Sequence, residues 1–413
     1  MRPPRAAHYS VIARRAQTRL WRPNRSARPH GACSVLHQLA PVLACKQDVA
    51  FIPAISHSPF AQRRLLHAVI AELTWEDATM SRRLKPLSQQ TIVITGASSG
   101  IGLATAQAAA LEGAKLVLAA RDESSLKDIV GEVEAHGGQA VYVVADVGER
   151  KQVQAIADRA FERFGGFDTW VNDAGVSIYG HLEDISDEDN RRLMDTNFWG
   201  VVYGSQIAVK HLRANGGALI NLGSVASDMS LPLQGMYCAS KHAIKGFTDA
   251  LRMELEEEDA PVSVTLIKPT SIATPFAQHA KNYMDHEPTL PPPVYKPEDV
   301  AQAILYAATH PVRDIYVGGA GKVMTTLNKN FPTAMDWVSE KMMTLQLRNE
   351  PAQPRADSLR QAGSDGRVEG DYPDRHPRRS LYTPVSRHPL MTGVVIAAAG
   401  AAAAALLGRP RVH

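Results

Sequence analysis

Seven short, apolar, largely β-branched runs recur from Thr91 to Gly318, each separated from the next by enough chain for a helix. They are TIVIT (91–95), KLVLAA (115–120), AVYVVA (140–145), DTWVN (168–172), ALINLGS (218–224), VSVTLIKP (262–269) and DIYVG (314–318). Helical stretches are expected between them, to Leu111 and over 123–137, 149–164, 187–213, 236–259 and 298–309. Continuous apolar runs suit strands covered on both faces, and strand–helix alternation makes βαβ units. The sequence therefore predicts an α/β domain over residues 88–319, built on a doubly wound parallel sheet of about seven strands. A length of 413 residues alone suggests two to three domains, but the periodic part fits one.

The flanks have a different texture. Residues 1–71 carry eleven Lys/Arg and a single acid, Asp48, so the formal net charge of +3 conceals a basic appendage on an acidic body. The segment 1–79 has three readings: an Arg-rich transit-like peptide, a basic arm for nucleic acid, or an extension upstream of a start at Met80. Residues 320–347 are expected to add one or two helices, and 348–390, rich in Pro, Arg and Asp, reads as a disordered linker. Residues 391–408 are uncharged but Ala-rich, so a membrane-tail helix and a partner-packed helix both remain open. Three cysteines exclude a disulfide framework.

TIVITGASSGIG puts Gly96, Gly100 and Gly102 in the turn from the first strand into a helix, with Ser98, Ser99 and Ile101 between them. Such a turn lets backbone approach a pyrophosphate, and the helix N-terminus receives the anion. The second strand ends Ala119-Ala120-Arg121, without the acid that would bind an adenosine ribose hydroxyl. Arg121 offers its fork to a 2′-phosphate, which favours NADP(H), while Asp122 keeps NAD(H) open. Asp146 and Val147 follow the third strand, with Asp146 a candidate acceptor for the adenine amino group. Asn172, Ala174 and Gly175 close the fourth strand, at the expected reversal of strand order.

Tyr237 and Lys241 stand at i and i+4 near the start of a helix, on one face. An ammonium beside a phenol draws its pKa toward neutrality, which makes the phenol useful as a proton donor. Ser224 ends the preceding strand and faces the same cleft. A Tyr-x-x-x-Lys pair alone is common by chance; after a nucleotide loop and a strand-terminal serine it is not.

Together these motifs resemble the classical short-chain dehydrogenase/reductase family over residues 88–319. TGASSGIG (95–102) matches its cofactor loop and NDAG (172–175) its Asn-Asn-Ala-Gly, with Asp173 a departure. Asn197, Ser224, Tyr237 and Lys241 fall on its catalytic tetrad. The resemblance implies a Rossmann-type fold and hydride transfer between nicotinamide and a carbonyl or secondary alcohol. Tyr237 is then the general acid, and Lys241 lowers its pKa and binds the nicotinamide ribose. Ser224 polarises the carbonyl, and Asn197 holds a relay water. Pro269, Ile272 and Thr274 stand where the family contacts the carboxamide, although Thr270 replaces its usual glycine.

Residues 275–297, with Phe276, Tyr283 and Met284, suggest a lid over an apolar carbonyl substrate, a rigid packed loop being the other reading. His279 and His286 read as polar lid residues rather than metal ligands, and Cys238 as core packing. The implied assembly is a homo-oligomer through the helices near 187–213 and 236–259. The expected location is cytoplasmic, with membrane association through 391–408 or organelle targeting through 1–79 as additions. Two rivals remain, a catalytically silent nucleotide-binding regulator on this fold and a nucleic-acid binder.

Overall fold

The computed structural model describes residues 84–353, 356–363, 366–373, 375–380 and 382–386. The expectations placed on 1–79 and 391–408 lie outside the described residues. Seven strands form the central sheet: Thr91–Thr95 (β1), Lys115–Ala120 (β2), Gln139–Val144 (β3), Thr169–Asn172 (β4), Gly217–Leu222 (β5), Val262–Pro269 (β6) and Asp314–Val317 (β7). Their order is β3-β2-β1-β4-β5-β6-β7, every pair parallel. The chain starts mid-sheet, runs to one edge and returns to build the other. The reversal between β1 and β4 opens a crevice at the carboxyl ends of the strands.

The longer helices among the described residues are Gly100–Leu111 (α1), Glu123–Ala135 (α2), Arg150–Phe164 (α3), Asp187–Met194 (α4), Gly200–Asn215 (α5), Gly235–Glu257 (α6), Pro297–Ala307 (α7), Gly319–Asn330 (α8) and Pro332–Met342 (α9). Ile92 and Ile94 pack on one face of the sheet with Leu103 of α1, Leu126 of α2 and Ile304 of α7. Val93 points the other way, into a cluster with Ile156 of α3, Leu212 of α5 and Leu255 of α6. Each such buried aliphatic contributes roughly 1.5–3 kcal/mol, which is why these strands are mostly apolar on both faces. Strand and helix ends otherwise fall within a few residues of expectation.

One helix differs in kind. The stretch 187–213, expected to be continuous, is α4 and α5 joined by a π-helical turn at Asp195–Trp199. The wider turn carries Asn197, whose amide bonds both the N–H and the C=O of Val176. Hydrophobic periodicity does not register such an inserted residue.

The C-terminal part is more ordered than its composition suggests. The annex consists of α8, α9 and a short 3-10 turn, after which Leu347–Pro351 pairs antiparallel with His286–Pro288. The stretch 348–390, expected as a disordered linker, has its described residues folded onto the domain: Leu359, Tyr372 and Ser380 are buried. Its apolar anchors are too far apart to produce a periodic signal, and arginines of the domain satisfy its carbonyls. The stretch 275–297 is pinned by three short pairings, since Ile178–Tyr179 also bonds Lys281–Asn282 and Ser271–Ile272 bonds Val294–Tyr295.

Candidate active site

β1 delivers the chain into a turn that only glycine fits. Gly96 has φ +73°, and a Cβ there would stand 2.8 Å from the Ala174 backbone. A Cβ on Gly102 would stand 2.2 Å from the Gly96 carbonyl oxygen, so α1 abuts the turn directly. No side chain caps α1 at Ser99, and its first amides face the cleft lined by Gly96, Ser98, Ser99, Gly100 and Ile101. A helix N-terminus without an N-cap side chain, behind a glycine turn, fits a dinucleotide pyrophosphate. The Gly100 N–H donates to the Arg367 carbonyl at 3.0 Å.

At the end of β2, Arg121 lines the cleft and donates to the carbonyls of Ser358 and, at 3.3 Å, Leu359. Burial pulls its pKa below the ordinary arginine value, with Asp146 acting in the opposite sense. Asp122 also lines the cleft, but its carboxylate N-caps α2, accepting from the Ser124 N–H at 3.2 Å, the Ser124 hydroxyl at 2.8 Å and the Ser125 hydroxyl. Burial opposes its charge, but these bonds hold its carboxyl below the usual range. Asp146, expected as an acceptor for adenine, is paired with Arg192 at 2.5 Å and accepts from the Gly148 N–H at 2.9 Å. Despite burial, that pairing keeps it ionised. Val147 lines the cleft beside it.

Among the residues closing β4, Ala174 and Gly175 line the cleft and Asn172 does not. The Asn172 side chain turns into the interior, accepting from Trp170 Nε1 at 2.8 Å and donating to Asn221 Oδ1 at 2.8 Å and Ser205 Oγ at 3.2 Å. It ties β4 to β5 and α5 rather than touching the crevice. Asp173 lines the same cleft. Burial raises its pKa to about 7, against the opposing charge of Lys241 and a hydrogen bond from the Gly102 N–H.

Ser224 follows β5 and caps the 3-10 turn Val225–Ser227, its Oγ accepting from the Ala226 N–H at 3.1 Å. The turn aims its hydroxyl at Tyr237. Burial pushes the Tyr237 phenol up, while a hydrogen bond from Ser224 acts the other way. One helical turn on, Lys241 is buried, with Nζ 5.7 Å from the Tyr237 ring centroid and donating to the Leu222 carbonyl at 2.8 Å. Burial lowers the Lys241 pKa to about 8, opposed by Asp173. The phenol, ammonium and serine hydroxyl therefore meet at one wall of the cleft. Asn197 lies behind it: its Oδ1 accepts from the Val176 N–H at 2.8 Å, and its Nδ2 donates to the Val176 carbonyl and Ser240 Oγ. Asn197 is the residue expected to hold a relay water, and both polar atoms of its side chain are engaged with protein.

Pro269, Ile272 and Thr274 line the opposite wall. The cleft continues past them into an apolar end formed by Tyr179, Leu231, Leu290 and Phe276, whose ring centroid is 5.6 Å from that of Tyr237. Sequence reasoning found Phe276 but missed Tyr179, Leu231 and Leu290, which carry no signal beyond being apolar in loops. Cys238 is buried, and its Sγ accepts from the Leu231 N–H at 3.3 Å, fastening that loop.

The sequence model described as short chain dehydrogenase matches residues 90–285. The chain is 47% identical over 328 residues to the uncharacterized oxidoreductase YxnA of Bacillus subtilis (strain 168), covering 78% of this chain and 92% of the relative. It is 34% identical over 272 residues to 11-beta-hydroxysteroid dehydrogenase A of Sesamum indicum, covering 63% and 77%. Among solved structures, a short chain dehydrogenase/reductase from Burkholderia phymatum in complex with NAD is similar at TM-score 0.52 and 27% identity, covering 66% of this chain and 100% of that one. With the parallel sheet, the glycine turn and the Ser–Tyr–Lys cluster, these likenesses make the protein a nicotinamide-dependent oxidoreductase acting on CH–OH or C=O groups. The chain belongs to the short-chain dehydrogenase/reductase family.

Proposed function

We propose that the protein is an NADP(H)-dependent reductase or dehydrogenase of an apolar ketone, aldehyde or secondary alcohol. The observation that carries the cofactor choice is the division of labour at the end of β2. Arg121 turns its fork toward the cleft, while Asp122 has its carboxylate committed to capping α2. A cation without a competing free acid suits a 2′-phosphate. The apolar wall of Tyr179, Leu231, Phe276 and Leu290 supports a hydrophobic substrate, and two relatives are named as hydroxysteroid dehydrogenases.

When bound, the nicotinamide supplies or receives the hydride. In the reducing direction Tyr237 gives its phenolic proton to the carbonyl oxygen, and Ser224 donates a hydrogen bond that holds that oxygen in place. Lys241 stabilises the phenolate left behind and has donor capacity beyond Leu222 for ribose hydroxyls. Asn197 is a positioning residue, holding Val176 and thereby the Ala174–Gly175 edge of the cofactor crevice. The test is a panel of steroids, retinals, fatty aldehydes and sugars, assayed with NADPH and NADH in parallel. Turnover of apolar carbonyls with NADPH well above NADH is expected. Equal use of both cofactors, or turnover confined to sugars, overturns the corresponding part.

A further inference from the structure

The C-terminal residues 356–363 and 366–373 cross the cofactor crevice rather than trailing away from it. Three groups anchor them. Leu359 is buried among Val176, Ile178 and Leu193. Arg360 binds Asp189 of α4 at 2.7 Å. Tyr372 is buried and donates to the Thr274 carbonyl at 2.8 Å.

Carbonyls of the same segment occupy donors of two residues that line the crevice, Arg121 and Gly100, and of Arg192 beside Asp146. Arg121 donates to the carbonyls of Ser358 and Leu359, Arg192 to Leu359 at 2.9 Å, and the Gly100 N–H to Arg367 at 3.0 Å. Gly366 passes against α2, where a Cβ would stand 3.2 Å from Ser125 Oγ. Ser358, Ala362 and Gly363 themselves line the cleft. The segment thus covers the end of β2 and the start of α1, which receive the adenosine and pyrophosphate of a dinucleotide in this fold. The wall carrying Ser224, Tyr237 and Lys241 receives no hydrogen bond from it among the described residues.

From this geometry we infer that residues 356–363 and 366–373 form an autoinhibitory strap that competes with the adenosine–pyrophosphate half of the cofactor and must lift for a dinucleotide to seat fully. A carbonyl dipole and a phosphate oxygen cannot both accept the same Gly100 hydrogen at full strength, nor share the same two Arg121 donors. Binding therefore requires the strap-free state, and the apparent affinity is reduced by the fraction of molecules in it. The inference rests on dinucleotide binding in the crevice and not on the choice between NADP(H) and NAD(H).

The experiment uses the full chain and a Leu359→Ser/Arg360→Glu variant, which removes the apolar anchor and sets a like charge against Asp189. Calorimetric titration with NADP, NAD, ADP-ribose and nicotinamide mononucleotide should show the variant binding the first three about tenfold tighter or better, with the mononucleotide unchanged. In the unmodified chain, hydrogen exchange of residues 356–363 and 366–373 should speed up on adding dinucleotide, a readout that survives even if the variant misfolds. Slower exchange there, or equal or weaker dinucleotide affinity in a folded variant, overturns the strap and makes the segment a roof of the site. If neither chain binds any dinucleotide, the cofactor reading itself falls and the strap with it.

Discussion

The Lys241 ammonium lies 5.7 Å from the centroid of the Tyr237 ring, one helical turn along α6, and is anchored by the Leu222 carbonyl at 2.8 Å. The pair is thus fixed by helix geometry on one side and by β5 on the other. In the proposed mechanism the phenol, raised by burial, gives up its proton with the help of that ammonium. Tyr237→Phe should lower turnover by about 10²–10⁴-fold while leaving dinucleotide affinity nearly unchanged. Steady-state kinetics with a parallel binding titration checks both halves, and undiminished turnover would remove Tyr237 from the chemistry.

Asp173 gives the site a titration of its own. Its carboxyl is raised to about 7 and the ammonium of Lys241 is lowered to about 8, each tempering the burial of the other. In Asp173→Asn the negative charge that supports Lys241 is gone, so the lysine loses its proton at lower pH. The alkaline limb of carbonyl reduction should move down by about one pH unit. The folded-state pKa of Asp173 is above its unfolded value, so the native state binds the extra proton between about pH 4 and 7. Stability from this group therefore falls as pH rises through that window. Thermal melts of the Asn variant should show a weaker decline there than the unmodified chain.

Arg121→Ala tests cofactor choice, provided that a ratio is read. Loss of a charge-assisted contact of about 1.5–3 kcal/mol should weaken NADPH roughly ten- to a hundredfold relative to NADH. The same change releases the carbonyls of Ser358 and Leu359, which acts on both cofactors alike and cancels in the ratio. Equal changes for the two dinucleotides would defeat the 2′-phosphate assignment.

Lys268 tests stability away from the cofactor. It is 3% exposed on β6 and pairs with Asp228 at 3.0 Å and Asp314 at 3.5 Å. Lys268→Ala leaves Asp228 with the Tyr316 hydroxyl and Asp314 with Arg313, both partly exposed, and should cost about 1–3 kcal/mol in denaturant unfolding. A loss under 1 kcal/mol would mean that solvent reaches both acids.

The sheet was legible because each strand is a dense apolar run and the chain between successive runs is long enough for a helix. The glycine turn and the Tyr237–Lys241 spacing were legible because the chemistry fixes the interval between residues. What escaped was set by single distant contacts. Asn172 looked like a crevice residue but is bonded into the interior by Trp170 and Asn221, partners two and 49 positions away. The ion pair of Asp146 with Arg192 joins residues 46 apart, and Leu359 docks far from its sequence neighbours. Neither leaves a local pattern.

The tether between Asp228 and β7 sets a limit on how short this enzyme can become. Asp228 comes one residue after the turn capped by Ser224, and it accepts from the Tyr316 hydroxyl at 2.7 Å as well as from Lys268. Tyr316 lies past residue 285, where the match to the family ends. A chain cut there keeps Asn197, Ser224, Tyr237, Lys241 and the glycine turn, yet loses the edge strand whose Tyr316 holds Asp228. The span matched by the family's sequence model is therefore shorter than the fold that holds Asp228 in place.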